Sequence, residues 1–335
     1  MPYFSIIIPV YNRPDEVDEL LESLTKQTYL NFEVLLIEDG STNKCDTVTQ
    51  KYKDDITIRY FYKENSGRSK TRNYGMEKAK GEYFVFFDSD CVIPPFYFKK
   101  IKDTLNKNYT DSYGGPDKAD ESFSKLQKAI SFSMTSFLTT GGIRGSKGIK
   151  MEEFVPRTFN MGFSKEVYET VGGFKDMFGE DIDLSLRIRK KGYSCQLISD
   201  AYLYHKRRVD LRSFYRQVHV FGMARISLYL LHPSSLKIVH TLPALFTIVS
   251  LIMILLSFFN FWFLLPLLFY FLLIFISASF IYKSLTIGLI AIATSAIQLY
   301  GYGWGFIKSY YQKIMLRKNE TRHVEDELNK YYNKK

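Results

Sequence analysis

The feature that most restricts the fold is an apolar region in the last third of the chain. No charged residue occurs in 241–282 or in 284–307. A helix needs about 20 apolar residues to cross a bilayer. We therefore predict membrane helices at 242–259 and 263–282. A third apolar stretch at 285–307 is either a third span or a re-entrant segment.

The charge of the chain fits a membrane surface. The net charge is +10, from 45 lysines and arginines against 35 acidic residues. No nucleic-acid-binding motif accompanies this charge, so we expect no nucleic-acid partner and predict contact with an anionic cytoplasmic membrane surface. Residues 308–335 carry eight basic against four acidic residues. That excess indicates a tail on the inside, whereas three spans would place it outside.

The first 200 residues have the pattern of an α/β domain. Apolar runs at 3–10, 32–37 and 83–87 predict buried strands, the alternating segment 56–62 predicts a further strand, and segments with helical spacing separate them. This alternation predicts a doubly wound, mostly parallel sheet. Ligands bind at the carboxyl ends of the strands in such a sheet. Polar residues that follow the strands are therefore the first candidates for a site.

Local signals set further boundaries. We expect the second helix to start near Ser41, residues 158–164 to form a turn, and Ser164 to cap the helix that follows. Residues 211–231 mix arginines with apolar residues, which predicts an amphipathic helix in the membrane interface. The chain then divides into a folded domain (1–210), an interfacial helix (211–235), a transmembrane region (236–307) and a basic tail (308–335).

Two carboxylates follow the strand at 83–87. Asp88 and Asp90 are one residue apart, at the expected mouth of the site. Carboxylates at this spacing can hold Mg²⁺ or Mn²⁺, which in turn grips a diphosphate, although Asp and Ser also favour turns. His205 is a candidate third metal ligand or diphosphate contact, and a structural histidine is the alternative.

A second acid and a basic turn suit a nucleotide. Asp39 ends a strand, where it can accept hydrogen bonds from a nucleobase imide or a ribose, or cap a helix. Gly67 is followed by the cations Arg68, Lys70 and Arg72. A glycine turn that opens a cationic helix favours a diphosphate. A solvated basic face is the alternative.

A candidate base lies at the start of a later helix. Glu180 and Asp181 open the helix, where the helix dipole stabilises a carboxylate as the anion. That suits a general base which deprotonates an acceptor hydroxyl, and capping alone also fits. The three cysteines, Cys45, Cys91 and Cys195, show no paired spacing. We therefore expect a reducing compartment and no zinc site.

These motifs, in this order, resemble glycosyltransferase family 2, which has the GT-A fold. The matching stretches are SIIIPVYN at 5–12, EDGS at 38–41, 67–73 with Gly67, Arg72 and Asn73, FDSD at 87–90, NMG at 160–162, GGF at 172–174 and GEDIDL at 179–184. Together they cover about the first 205 residues. The resemblance implies an inverting transfer of a sugar from a nucleotide sugar, with UDP as the expected nucleotide.

The resemblance also implies roles for individual residues. It places Asp39 at the nucleobase, Asp88 and Asp90 at the ribose and the metal, and Asp181 as the catalytic base. The remaining residues expected at the nucleotide sugar, from the matched motifs, are Pro9, Tyr11, Asn12 and Asn160. The expected domain is then catalytic and cytoplasmic, on a multi-pass protein of the inner membrane.

The sequence defines the acceptor less closely than the donor. Processive members of the family carry Gln-x-x-Arg-Trp after the base, whereas the comparable stretch here, 216–225, has no Trp. That favours addition of one sugar, and we expect a hydroxyl of a lipid-linked saccharide, as in the assembly of surface polysaccharide. A polyprenyl-phosphate glycosyltransferase is the alternative enzyme. A non-catalytic membrane scaffold that binds a nucleotide sugar is the alternative from another class.

Overall fold

The structure of the chain is a computed structural model. It describes residues 1, 3–118, 123–140, 154–205 and 210–316, so most of the predicted basic tail lies outside the described residues. The chain divides into two compact units. The first comprises Met1–Asp120 and Lys150–Lys206, and the second comprises Glu121–Ile149 and Arg207–Lys335.

The first unit alternates strands and helices. Its elements are β1 (Phe4–Val10), α1 (Pro14–Thr25), β2 (Phe32–Asp39), α2 (Asp46–Tyr52), β3 (Ile58–Lys63), α3 (Arg68–Lys78), β4 (Tyr83–Phe86), β5 (Cys91–Val92), α4 (Tyr97–Lys107), β6 (Ser112–Gly114) and β7 (Asp117–Lys118). Two helices of the second unit come next in the chain, α5 (Lys125–Thr135) and α6 (Phe137–Thr140). The first unit then continues with β8 (Met161–Ser164), α7 (Lys165–Val171), α8 (Glu180–Lys190), β9 (Cys195–Leu197) and β10 (Leu203–His205).

Seven strands form the central sheet, in the order β3-β2-β1-β4-β8-β6-β9. The pairs β1–β2, β1–β4, β2–β3 and β6–β9 are parallel, and β8 is antiparallel to both of its neighbours. A smaller sheet has the order β5-β10-β7. The predicted fold class, a doubly wound and mostly parallel α/β sheet, is confirmed.

Buried side chains cover both faces of the sheet. Successive residues of a strand point to opposite faces, and in β1 this separates Ile6 and Ile8 from Ile7, which lie in two different core clusters. The first cluster packs on α1 and α4, and the second packs on α3, α7 and α8. Strands β1, β2 and β4 are therefore buried on both sides, which is why their sequences are nearly continuous apolar runs.

The start of α2 differs from the prediction. The helix begins at Asp46 rather than near Ser41, because polar side chains hold the intervening turn in another conformation. The Ser41 hydroxyl accepts a hydrogen bond from the Asn12 amide (2.8 Å), and the Glu38 carboxylate accepts one from the Cys45 amide (2.8 Å).

The prediction of a turn over 158–164 is wrong for its second half. Met161–Ser164 is a strand of the central sheet, between β4 and β6. All four residues are buried, so the segment lacks the alternation that marks a half-exposed strand. Gly162 is required there, because a Cβ would collide with the ring of Tyr113. The predicted cap is confirmed, since the Ser164 hydroxyl accepts from the Val167 amide.

The second unit is helical. It contains α5 and α6 together with α9 (Leu211–Leu231), α10 (Leu242–Ser257), α11 (Leu265–Tyr282) and α12 (Leu285–Tyr310). Helix α12 contacts α5, α9, α10 and α11. The α5 contact includes a hydrogen bond from the Thr294 hydroxyl to the Ala129 carbonyl oxygen (3.1 Å). Helix α5 therefore belongs to the helical unit, although in the chain it lies between strands β7 and β8 of the first unit.

Glycines let α9 and α12 approach closely. A Cβ on Gly222 would collide with the carbonyl oxygen of Tyr302, and one on Gly305 would collide with that of His219. Gly301, four residues before Gly305, faces Val218. Small residues four apart are the usual means of close contact between membrane helices.

Apolar side chains are exposed on α10 and α11. Two segments are long and apolar enough to cross a membrane, Phe261–Tyr282 and Leu285–Met315, and Leu242–Ser257 is a shorter apolar helix. In the most apolar 18 residues of the first segment 17% are buried, whereas in those of the second segment 50% are buried. The candidate spans therefore differ, because α12 is enclosed by other helices and α11 is not.

Candidate active site

Asp39, at the carboxyl end of β2, organises the turn between β3 and α3. Its carboxylate accepts hydrogen bonds from the amides of Ser66 and Gly67 (2.9 Å each) and contacts the ammonium of Lys63. Gly67 has a φ of +87°, which an L-residue rarely adopts. The structure thus links the predicted nucleobase acid to the predicted diphosphate turn.

Asn12 forms a second corner, at the end of β1. Its backbone has a φ of +53°. Its carbonyl oxygen Oδ1 accepts hydrogen bonds from the amides of Thr42 (2.8 Å) and Asn43 (2.9 Å). The side chain therefore shapes the loop after β2. Pro9 and Tyr11 lie beside it in the chain and are partly exposed.

Arg72 joins the end of β4 to the start of α8. Its side chain is 2% exposed, and its guanidinium bonds Asp88 (2.8 Å) and Glu180 (3.0 Å). The ring of Phe174 lies 5.6 Å from the guanidinium carbon, within the range of a cation–π contact. Arg72 is thus a buried cation held between two carboxylates, and it fixes the position of Asp88.

Two further cations lie on the first turn of α3. Arg68 pairs with Glu180 at 2.9 Å, and the more exposed Lys70 pairs with Asp176 at 3.2 Å. No side chain caps the N-terminus of α3. The first turn therefore combines uncapped amides with positive charge, which is the arrangement that attracts a phosphate.

Asp90 belongs to a different group from Asp88. The Asp90 carboxylate lies 3.1 Å from Nε2 of His205 and 3.4 Å from Arg13. Asp90, Cys91 and His205 each offer one ligand atom, and these atoms lie within 4.8 Å of one another. An oxygen, a sulfur and a nitrogen make a donor set for a divalent transition metal. Asp90 and His205 are thus brought together as predicted, whereas Asp88 pairs with Arg72.

Cys91 is a buried thiol next to a carboxylate. Its side chain is 1% exposed. Burial, followed by the nearby charge of Asp90, raises the pKa of the thiol well above its ordinary value. The spacing of the cysteines in the chain gives no indication of this group, because the pairing of β5 with β10 creates it.

The acids at the start of α8 differ in their surroundings. Glu180 is buried and bonds both Arg68 and Arg72. Asp183 is fully buried and pairs with Arg187 and Lys175. Asp181 is 15% exposed and has a longer contact, 3.4 Å, to Arg157. Of the two predicted catalytic acids, Asp181 is therefore the more exposed and Glu180 is enclosed by arginines, and a catalytic role for either stays a prediction.

Asn160 is buried within the protein. Its carbonyl oxygen Oδ1 accepts from the hydroxyl of Tyr97 (2.6 Å), and its amide Nδ2 donates to the carbonyl oxygens of Ala201 (2.9 Å) and Pro116 (3.2 Å). These contacts give Asn160 a structural role, and its role at the nucleotide sugar stays a prediction. Arg13 and Arg157, which contact Asp90 and Asp181, have no sequence signal that singles them out.

A family model covers the first half of the chain. The family model described as Glycosyl transferase family 2 matches residues 5–172, about half of the chain. The chain belongs to glycosyltransferase family 2. The matched segment contains Asp39, Arg72, Asp88 and Asp90, and it ends before Asp181 and His205. Membership of the family confirms the resemblance drawn from the motifs.

Individual relatives cover only part of the chain. An uncharacterized glycosyltransferase of Rickettsia typhi is 42% identical over 105 residues, which are 31% of this chain and 31% of the relative. The uncharacterized glycosyltransferase EpsJ of Bacillus subtilis is 32% identical over 115 residues, 34% of this chain and 33% of the relative. The chain thus spans about a third of the length of these curated relatives.

One solved structure shares the fold over nearly the whole chain. It is the mannosyltransferase PcManGT from Pyrobaculum calidifontis in complex with GDP-Man and Mn²⁺. The TM-score is 0.58 at 17% identity, and the match covers 95% of this chain and 88% of that chain. This likeness supports the GT-A fold of this chain.

Proposed function

We propose that this glycosyltransferase moves one sugar, with inversion, from a nucleotide sugar to a hydroxyl of a lipid-linked saccharide. The observation that carries the proposal is the position of Arg72. By bonding Asp88 and Glu180 at once, it joins the end of β4 to the first turn of α8, next to Asp181. A donor site at the sheet edge and an acceptor base at a helix start are thus parts of one unit.

The donor is held by charge and by free amides. The first turn of α3, with Arg68 and Gly67, suits the diphosphate. Asp39, at the end of β2, would accept hydrogen bonds from the nucleobase or the ribose. Asp88 would bind the ribose or a metal-bound water. UDP is the proposed nucleotide, which the family resemblance favours.

The departing diphosphate needs a counter-charge. Asp90 and His205 would hold Mg²⁺ or Mn²⁺ for this purpose, and the cation would neutralise the nucleoside diphosphate as it leaves. The donor set favours Mn²⁺, since Mg²⁺ prefers oxygen ligands throughout. Arg13, 3.4 Å from Asp90, orients that carboxylate.

Asp181 is the proposed base. The N-terminus of α8 stabilises its carboxylate as the anion, and its partial exposure leaves one face open to an acceptor hydroxyl. In an inverting reaction that hydroxyl attacks the sugar from the face opposite the leaving group, and Asp181 takes its proton. The bond to the nucleotide breaks as the new glycosidic bond forms.

The acceptor is proposed to come from a membrane. Exposed apolar side chains cover α10 and α11, which suits helices in contact with lipid tails. We place the protein in the inner membrane as a multi-pass protein, with the catalytic unit on the cytoplasmic side. A lipid-linked acceptor would then reach the site from the membrane.

Incorporation of label into lipid tests the proposal. Membranes that contain the protein are incubated with each labelled nucleotide sugar, Mn²⁺ and lipid extract, and the organic phase is counted. The proposal expects lipid-borne label with one donor and none with membranes that lack the protein. Absence of such label with every donor would count against the proposal.

A phosphate acceptor is the second candidate, as in a polyprenyl-phosphate glycosyltransferase. The observation that favours it is Arg157, whose guanidinium lies next to Asp181 and suits an anionic acceptor. A phosphate needs little help from a base. The substitution Asp181→Asn would therefore slow transfer to a hydroxyl much more than transfer to a phosphate.

A further inference from the structure

We propose that Cys91 is a metal ligand. Asp90, Cys91 and His205 together would bind Zn²⁺ or a similar transition-metal cation (a zinc-class cation) in preference to Mg²⁺. This inference rests on the metal site of the proposed function. It adds a sulfur ligand that neither the family resemblance nor the spacing of the cysteines supplies. It also replaces the expectation, drawn from that spacing, of no zinc site.

The backbone places the two non-carboxylate ligands side by side. Strand β5 pairs antiparallel with β10, and Cys91 is directly opposite His205. Directly opposed residues of an antiparallel pair point their side chains to the same face, with Cβ atoms about 4.5–5.5 Å apart. The thiol and the imidazole therefore share one side of the small sheet by register, independently of their rotamers.

Asp90 completes the group from the adjacent chain position. Its Oδ1 is 3.1 Å from Nε2 of His205, and the three ligand atoms lie within 4.8 Å of one another. A zinc-class cation binds at about 2.0–2.3 Å from such donors. Binding would draw the three ligand atoms together around the cation.

Phe159 holds both ligands in place. Its carbonyl oxygen accepts a hydrogen bond from the Cys91 thiol (3.9 Å), and its ring stacks on the His205 imidazole (4.7 Å between centroids, 22° between planes). Contacts outside the ligand shell that orient the ligands raise metal affinity. The group is thus supported by a neighbour that touches the sulfur and the imidazole at once.

The donor set decides which cation is preferred. Thiolate and imidazole select zinc-class metals, whereas Mg²⁺ prefers carboxylate, carbonyl and water oxygens. Binding forms a bond between the cation and Cys91 Sγ, and the thiol proton leaves to solvent. No electron is transferred, so the step needs no further reactant.

Cobalt reports the sulfur ligand directly. In the full chain with Cys45→Ser and Cys195→Ser, Cys91 is the single cysteine, and Co²⁺ is titrated into the detergent-solubilised protein. We expect saturable near-ultraviolet absorption from charge transfer between thiolate and Co²⁺. Adding Cys91→Ser should remove this band. It should also weaken Zn²⁺ binding at least about tenfold, the effect seen when even an outer partner of a metal ligand is lost.

Two outcomes would overturn the inference. One is a single-cysteine protein that binds Co²⁺ without a thiolate band, which would make Cys91 a buried structural thiol. The other is equal affinity for Zn²⁺ in the proteins with and without Cys91→Ser. The single-cysteine spectrum decides the matter even where Cys91→Ser fails to fold. Sugar transfer supported by Mn²⁺ is measured separately, so loss of the sulfur ligand does not refute the proposed function.

Discussion

At the scale of single residues, the site depends on a few buried charges. Arg72 and Glu180 are both almost inaccessible to water, and each is stable there because the other is present. A charge left alone in such a place loses its solvation without compensation. Arg72 is therefore a positioning residue that holds Asp88 and the start of α8, rather than a surface cation.

Replacement of Arg72 tests this directly. We expect Arg72→Met to destabilise the protein by about 3–5 kcal/mol, because it removes the buried partner of Glu180 and leaves that carboxylate only the half-exposed Arg68. The free energy of unfolding of the first unit, from denaturant titration, measures the effect. Arg68→Met is the matched control, since Arg68 is 43% exposed and should cost much less. Equal losses in both variants would contradict the account.

Several site residues could be predicted from the sequence, but their ion-pair partners could not. Asp39, Gly67, Arg72, Asp88 and Asp90 were found because they follow strands or open a helix, and such positions are visible in the pattern of the chain. Their ion-pair partners are Lys63 for Asp39 and Glu180 for Arg72. These partners come from segments distant in the chain, which the fold brings together. No pattern in the sequence assigns those pairs.

At the scale of elements, Glu33 connects the amino ends of β1, β2 and β3, on the side of the sheet opposite the candidate site. This residue lies in β2, and its carboxylate accepts from Ser5 of β1 (2.7 Å), Arg59 of β3 (2.9 Å) and the amide of Lys80 (2.6 Å). Desolvation is the largest influence and raises its pKa, but the hydrogen bonds together lower the pKa below the ordinary value.

The lowered pKa of Glu33 predicts a pH dependence of stability. A carboxylate with a depressed pKa contributes stability above its unfolded pKa of about 4.3, and this contribution is lost as pH falls through the folded pKa. We expect Glu33→Gln to have lower stability at neutral pH and a flatter decline below about pH 4.3. Denaturant titrations from pH 7 to pH 3 measure it. Parallel curves for the variant and the original protein would contradict the assignment.

Glycines at the crossing of α9 and α12 give a second element-scale prediction. We expect Gly222→Ala to destabilise the helical unit by about 1–3 kcal/mol, because the added methyl group collides with the backbone of α12. Thermal unfolding in detergent measures it. Ala293→Val is the control, as Ala293 lies on α12 but is exposed. An unchanged midpoint for Gly222→Ala would show that the helices are not so close.

Elements were predicted unevenly, for physical reasons. Strands β1, β2 and β4 are apolar runs and helix α8 opens on an acidic first turn, and their predicted positions agree with the structure to within a few residues. Strand β8 and helix α5 were missed. The first is short and buried on both faces, and the second depends on contacts with α12, more than 150 positions later in the chain.

At the scale of the whole molecule, the chain combines an α/β unit with a helical unit that exposes apolar side chains. Leu272 lies near the middle of α11 and is 49% exposed. An arginine at the centre of a membrane helix costs about 2.5–3.5 kcal/mol of insertion free energy. A charge at this position should therefore weaken retention of the protein in the membrane.

We expect Leu272→Arg to reduce the share of protein that stays in alkali-washed membranes. Leu30→Arg is the matched control, because Leu30 is an equally exposed leucine (58%) in the α/β unit and should not affect retention. Equal retention of the two variants would argue that α11 does not face lipid.

The central claim is that Asp181 acts as the base in sugar transfer to a lipid-linked hydroxyl. The most direct measurement is the rate at which label from the nucleotide sugar enters the lipid fraction, at saturating donor, for Asp181→Asn and for Glu169→Gln on α7 as control. Loss of a general base predicts a fall of about 10²–10⁴-fold for Asp181→Asn and little change for the control. An unchanged rate for Asp181→Asn would contradict the claim.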